Sequence, residues 1–304
     1  MAEGTVISVG TFDGFHRGHR AILETVREIA NAHDYRSAVL AFETPPRHIL
    51  QGRTSGGLIL PRSIKRRLME PFVDAVVPAD FSEFRELDAS TFVDDLRRTF
   101  PDLRYIVEGR SFRFGKARIG GLDTLIQLGE IHGFGLQVVP PVVVGGLPAS
   151  SSRIRAALEQ GDVALATEML GRSPVLLGKV VPGNGVGRSL GFPTANLAID
   201  ADILRPASGI YWVKAYSLDQ SFDGLLYVGN RPTFASDDPR CEIHLLASPD
   251  RDLYGAGFEA HLVRRIREDR RFPSLQALQH QIAQDVEVVR ALIRASPCAS
   301  ERLT

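Results

Sequence analysis

Hydrophobic positions in the first half of the chain switch repeatedly between short apolar runs and a 3.6-residue repeat. Residues 6–9 and 38–42 are runs of strand length, and between them Ile22, Leu23, Val26, Ile29 and Ala30 fall on one helical face. Residues 75–77, 105–107 and 136–139 are further strand candidates, with helix-like segments between them. Strands alternating with helices predict a parallel sheet built from right-handed βαβ units. Two short helices are expected at 154–161 and 163–170. Beyond about Arg172 the period falls to two, with strands at 210–213, 225–228, 242–246 and 258–266 separated by Gly, Pro and Asp turns. That spacing predicts a small antiparallel barrel. In the last strand Phe258, Ala260, Leu262 and Ile266 should share one face, with Glu259, His261, Arg265 and Arg267 on the other. A helix from Ser274 should follow, with Leu275, Leu278, Ile282, Val286, Val289 and Ile293 on one side. The expected division is 1–172 and 173–304.

A length of 304 residues fits two domains of about 150 each. The 44% hydrophobic and 24% charged content excludes long disorder and collagen. Thirty-six basic residues balance 36 acidic ones, which argues against binding along a nucleic-acid backbone while leaving local anion sites open. Two cysteines cannot build a disulfide framework and suit a reducing compartment. The N-terminal residues lack the pattern of a secretory signal. Residues 136–147 are interrupted by Pro140, Pro141, Gly145 and Gly146, well short of the ~20 apolar residues a membrane helix needs. A cytoplasmic protein without membrane contact is expected, and nothing in the sequence excludes a homo-oligomer.

The first strand runs into Gly10-Thr11-Phe12-Asp13-Gly14-Phe15-His16-Arg17-Gly18-His19. In an open α/β sheet, ligands bind beyond the carboxyl ends of the strands, where this segment falls. A helix starting near Gly18 would turn its free N–H groups and positive dipole end toward a phosphate. Gly14 and Gly18 would let the backbone approach closely. His16 and His19 could donate to phosphoryl oxygens as charge builds in a displacement. No nucleophile is present, so direct transfer between bound substrates is the simpler chemistry. Two exposed loop histidines, or a metal pair with Asp13, are the alternatives.

The second half opens with a glycine-rich run, Gly183, Gly185 and Gly187, then Arg188, then Gly191-Phe192-Pro193-Thr194-Ala195-Asn196. Its amides could surround a polyphosphate. No Gly-Lys-Ser/Thr follows, so it is not a Walker A loop, and no helix is expected after it. Farther on come residues 229–234, Cys241-Glu242-Ile243-His244-Leu245 and Asp252-Leu253-Tyr254-Gly255. Strand alternation puts Glu242 and His244 on one face and Ile243 and Leu245 on the other, which also separates Cys241 from His244 and discounts zinc.

These motifs carry a resemblance. The first string, Phe112-Arg113-Phe114-Gly115-Lys116 and the run Ser150 to Arg155 resemble the nucleotidylyltransferase module of bacterial bifunctional riboflavin kinase/FAD synthetases. Gly178 to beyond Phe272 resembles their riboflavin kinase module. The resemblance implies a Rossmann-like N-terminal domain, a C-terminal barrel, and an enzyme that phosphorylates riboflavin to FMN and adenylylates FMN to FAD. It implies Gly115, Ser152 and Arg153 at the nucleotide of the first site. It further implies Thr194 and Asn196 at Mg²⁺–ATP and Glu242 as the base for the flavin hydroxyl. This chain departs from the family at Pro45, Ser111 and Gly121, where polar groups are usual. Tyr227 stands where a small polar residue is common, and Ala247 where Asp is. The rival reading is a riboflavin kinase whose N-terminal domain has become a regulatory binding module; a flavin carrier is a third.

Overall fold

The computed structural model describes residues 3–43, 57–183, 186–217, 220–229, 240–247 and 252–295. By packing, the chain forms two units, one of residues 1–56 and 62–151, the other of 57–61 and 152–304.

In the first unit, β1 (Thr5–Gly10) leads into α1 (Arg17–His33) and β2 (Arg36–Phe42). Then follow α2 (Arg62–Met69), β3 (Ala75–Ala79), α3 (Phe81–Phe84) and α4 (Ala89–Thr99). The unit continues with β4 (Leu103–Gly109), α5 (Leu122–His132), β5 (Gly135–Val139) and a hairpin of β6 (Val143–Val144) and β7 (Leu147–Pro148). The main sheet is parallel, in the order β3-β2-β1-β4-β5. Val6, Ile7 and Val9 on β1 are all buried, because helices cover both faces of a parallel sheet. Helix starts are set by side-chain caps. Asp88, for example, accepts from the Thr91 N–H at 2.8 Å at the head of α4. The chain leaves β1 toward β2 on one side and finds β4 on the other, so the strand order reverses there, opening a crevice at the carboxyl edge.

The second unit begins with α6 (Ser151–Gln160) and α7 (Val163–Leu170). It continues through β8 (Val175–Val181), α8 (Val186–Ser189), β9 (Ala195–Ile199), β10 (Gly209–Ser217), β11 (Gln220–Gly229), β12 (Arg240–Leu245), β13 (Gly257–Glu268) and α9 (Leu275–Ala295). Six antiparallel strands close a barrel in the order β10-β11-β12-β9-β8-β13. Its interior holds Tyr211, Val213, Leu226, Ile243, Phe258 and Leu262. Val163 of α7 and Leu58 join that core, and Leu58 bridges to Ile203. Packing therefore assigns residues 152–170 to the barrel unit, upstream of the change in periodicity at 172. Periodicity marks where strands begin, not where the packing partner changes. The sequence reading missed β8, whose Val-Leu-Leu-Gly-Lys run has no alternation, and β9, hidden in the Thr-Ala-Asn motif. A single helical turn, α8, lies within the glycine run, and the chain after it leads into β9 with no helix between.

Strand β13 departs from simple alternation. Tyr211 pairs with Arg265 and Ile210 with Arg267, while Trp212 pairs with Arg264 and Val213 with Leu262. Val263 and Ile266 are thus bulge residues without a partner on β10. Both turn outward, with Trp212 and Leu225, against Val286 and Val289 of α9. Ile266 consequently leaves the face of Phe258 and Leu262, and Arg265 leaves that of Glu259 and His261, contrary to the strict period of two. Leu275, at the head of α9, is 61% exposed and takes no part in the helix's apolar contact.

Candidate active sites

The first site lies at the carboxyl end of β1. Phe12 and Phe15 hold positive φ angles of 50° and 36° around Gly14 at 81°, a compact strained turn of the kind found at ligand loops. The turn delivers His16 as the N-cap of α1. Its Nδ1 accepts from the Gly18 N–H at 3.1 Å and the His19 N–H at 3.3 Å. With Nδ1 occupied as an acceptor, Nε2 is the ring's N–H donor. The His16 and His19 rings stack with centroids 3.7 Å apart, and Phe12 meets His19 edge-on at 5.2 Å. This corrects two expectations. The Gly18 and His19 amides serve the cap, so they are not held open for a phosphate. Gly18 lacks a side chain because a Cβ would press on the His16 ring at 3.1 Å.

Two buried ionisable groups near this loop escaped the sequence reading. Lys65, on α2, donates to the Thr11 carbonyl at 3.0 Å and the Phe42 carbonyl at 2.8 Å, tying together the exits of β1 and β2. Burial pulls its pKa down to about 8, opposed by the Asp13 carboxylate. Glu108, on β4, accepts from the Val9 N–H at 2.7 Å and the Ser8 hydroxyl at 3.3 Å, both through Oε1. It bridges the crevice where β1 and β4 stop pairing. Burial raises its pKa well above the ordinary 4.5.

The raised value has a stability consequence. As pH climbs above 4.5 the unfolded chain gives up this proton while the folded chain keeps it, so Glu108 costs more stability until the folded value is passed. Glu108→Gln keeps the acceptor and removes the proton. Its melting temperature should match wild type near pH 4 and exceed it increasingly toward pH 8. A difference constant across that range would contradict a neutral buried acid.

Gly115, at φ 72°, turns the chain against Ala89 at the start of α4. Ser111 is exposed, and Gly121 caps α5 with Arg113 beside it. Ser151 donates to the Asp13 carbonyl at 2.7 Å. Ser152 and Arg153 follow in the first turn of α6, which packs with the barrel unit. Pro45, Gly185 and residues 230–234 lie outside the described residues.

The second site is on the outer face of the barrel. Glu242 on β12 stands between Asn196 of β9 and Tyr227 of β11 in register, and Ile210 and Arg267 continue the row. Thr194 donates to Glu242 Oε2 at 3.2 Å. Arg240 pairs with the same carboxylate and donates to Asn196 Oδ1 at 3.2 Å. His244 meets the Pro193 carbonyl at 2.9 Å. Thr194, Asn196 and Glu242 are therefore brought together as expected, and Cys241 points into the barrel, away from His244. Arg240 was missed, since nothing in its sequence context marks it. Gly183 and Gly187 are tight: a Cβ would collide with the Asn196 amide at one and with Phe192 and Thr194 at the other. Arg188 is exposed on α8.

Beside this row opens a cavity of about 320 Å³. Thr194, Glu242 and Arg240 line it, together with apolar walls that include Leu190, Phe192 and Leu225 and, from α9, Leu278 and Ile282. The Arg267 guanidinium meets both oxygens of buried Asp285 at 3.0 Å, fixing α9 to the barrel. The cavity is of the size and largely apolar character of a small-molecule site, with Arg240 and Glu242 on one side and Arg267, Asp269, Arg270 and Asp285 also on its walls.

A parallel sheet with a histidine-capped loop at its switch point, joined in sequence to a barrel presenting a Thr–Glu–Asn row beside an apolar cavity, defines a two-module nucleotide-dependent transferase. A family model described as FAD synthetase matches residues 1–153, and one described as riboflavin kinase matches residues 170–293. The chain is 35% identical over 286 residues to the bifunctional riboflavin kinase/FMN adenylyltransferase of Escherichia coli K12, covering 93% of this chain and 91% of that one. It is 36% identical over 300 residues to the Pseudomonas fluorescens protein so described, covering 98% and 95%. A crystal structure described as a macrolide-efflux protein from Streptococcus pneumoniae superposes with a TM-score of 0.84 at 28% identity, covering 94% of each chain. Among the described residues, no helix is long and apolar enough to cross a membrane. The chain belongs to the bifunctional riboflavin kinase/FMN adenylyltransferase family.

Proposed function

We propose that the barrel phosphorylates riboflavin with ATP and that the α/β unit transfers AMP from a second ATP to the resulting FMN. The observation that carries the kinase half is the Thr194–Glu242 hydrogen bond, flanked by Asn196 and Arg240, on the wall of a largely apolar cavity. A flat flavin ring suits the apolar walls, leaving the polyol to reach Glu242. The 5′-hydroxyl oxygen attacks the γ-phosphorus, the bond to the β–γ bridging oxygen breaks, and ADP leaves. Glu242 takes the hydroxyl proton, with Thr194 and Arg240 aiming its carboxylate. The Thr194 hydroxyl and the Asn196 carbonyl are hard oxygen donors beside a carboxylate, a set that fits Mg²⁺. Bound there, the ion would neutralise charge on the transferring phosphoryl group.

In the α/β unit a phosphate oxygen of FMN attacks the α-phosphorus of ATP and pyrophosphate leaves, so the residues need only position and stabilise. His16 through Nε2–H, and His19, would donate to the phosphoryl oxygens. Arg113, next to Gly121, supplies positive charge at a position where the family has a polar side chain. Ser152 and Arg153 would contact the phosphates. Small molecules account for both sites, and a cytoplasmic setting suits them.

Purified protein incubated with riboflavin, ATP and Mg²⁺ should yield both FMN and FAD on chromatographic separation. FMN alone would overturn the adenylyltransferase half, and unchanged riboflavin would overturn both.

A further inference from the structure

Tyr227 occupies a place the kinase chemistry does not require. It stands directly across the ladder from Glu242 and lines the same cavity. Its ring lies over Gly229, where a Cβ would collide with the phenol, so the glycine is the seat of the ring. Its hydroxyl donates to Asp269 Oδ2 at 3.0 Å, just beyond the end of β13 and also on the cavity wall. The hydroxyl end of the side chain is thereby held from two sides, by Gly229 beneath it and by the Asp269 carboxylate. Burial and the Asp269 carboxylate push its pKa up to about 12, so it remains a donor at any physiological pH.

We propose that Tyr227, seated on Gly229 and latched to Asp269, determines acceptor specificity by walling the cavity beside Glu242 and limiting its width. This rests on the kinase reading of the barrel. A large aromatic ring at this point fills space that a small polar residue would leave open. It also offers a flat apolar surface to the flavin between its reactive hydroxyl and the mouth. An acceptor broadened by a bulky ring substituent has to displace the ring, and with it the bond to Asp269. ATP approaches from the Thr194 and Asn196 side of Glu242, the opposite end of the row, and should not sense the change.

The test compares wild type, Tyr227→Phe, Tyr227→Ala and Asp269→Asn with riboflavin and with an analogue carrying a bulky substituent on its benzenoid ring. Tyr227→Ala should raise KM for riboflavin about tenfold and raise the kcat/KM ratio of analogue to riboflavin at least fivefold, with KM for ATP within twofold of wild type. Tyr227→Phe and Asp269→Asn, which keep the ring but cut its latch, should each shift the ratio about two- to threefold. They keep the inference testable if the alanine variant folds poorly. A ratio unchanged in the phenylalanine and alanine variants, or a parallel rise in KM for ATP, would overturn it. Quenching of flavin fluorescence measures binding without turnover. Wild type that binds riboflavin more tightly than Tyr227→Ala but makes no FMN would sink the kinase reading while sparing the wall. Equal binding by both would sink the wall alone.

Discussion

Glu242→Gln should lower riboflavin phosphorylation by about 10²–10⁴-fold, the usual contribution of a general base. Adenylylation of supplied FMN should continue at the wild-type rate. The amide is nearly isosteric and its oxygen still accepts from Thr194, so the cavity keeps its shape. It cannot take the proton of the attacking hydroxyl, and it leaves Arg240 without the carboxylate it now faces. The loss should therefore fall on kcat, with KM for riboflavin nearly unchanged, because the apolar walls that bind the ring are untouched. Chromatography of flavins from separate riboflavin and FMN incubations measures both activities. FMN formation within threefold of wild type would remove Glu242 from the proton transfer.

His19→Ala should have the converse effect, cutting FAD formation by about 10²-fold or more, as for loss of a preorganised donor to a charge-developing oxygen, and leaving FMN formation intact. His16 needs a more careful substitution because it has two jobs. Its Nδ1 caps α1, and replacing a cap by alanine costs about 1 kcal/mol in addition to any catalytic loss. Asparagine is a good N-cap but cannot place a donor where the imidazole Nε2–H lies. His16→Asn should therefore unfold near the wild-type temperature and still fail to make FAD. Thermal unfolding with the FAD assay separates the roles. A His16→Asn protein that made FAD normally would reduce His16 to a cap.

Most of the architecture was legible because burial leaves a strong trace in sequence. The central strands β1, β2 and β4 read as apolar runs since most of their side chains are buried on both faces, and α1 declared itself through Leu23, Val26 and Ala30. The kinase row was legible because alternation fixes which side chains share a face, so Glu242 and His244 could be separated from Ile243 without coordinates. What stayed hidden depends on long-range contact. Lys65 and Glu108 are ordinary charged residues until the fold buries them against Thr11, Phe42 and Val9. The cap made by His16 consumes amides that a one-dimensional reading leaves free. The two bulges of β13 have no mark of their own, because Val263 and Ile266 would fit an unbroken strand equally well.

Those two bulges carry an evolutionary consequence. Each one shifts the register of β13 against β10 by a residue; the two shifts add, and the second restores the face that the first reversed. Arg267 therefore arrives opposite Ile210, in the row that holds Glu242, and meets Asp285 on the terminal helix. Loss or gain of a single residue between Leu262 and Arg267 would leave one reversal of face uncorrected, sending Arg267 to the wrong side and detaching the helical wall of the cavity. Length changes here are tolerable only in compensating pairs. This stretch of β13 should therefore be among the parts of the barrel least open to insertion and deletion as the enzyme diversifies.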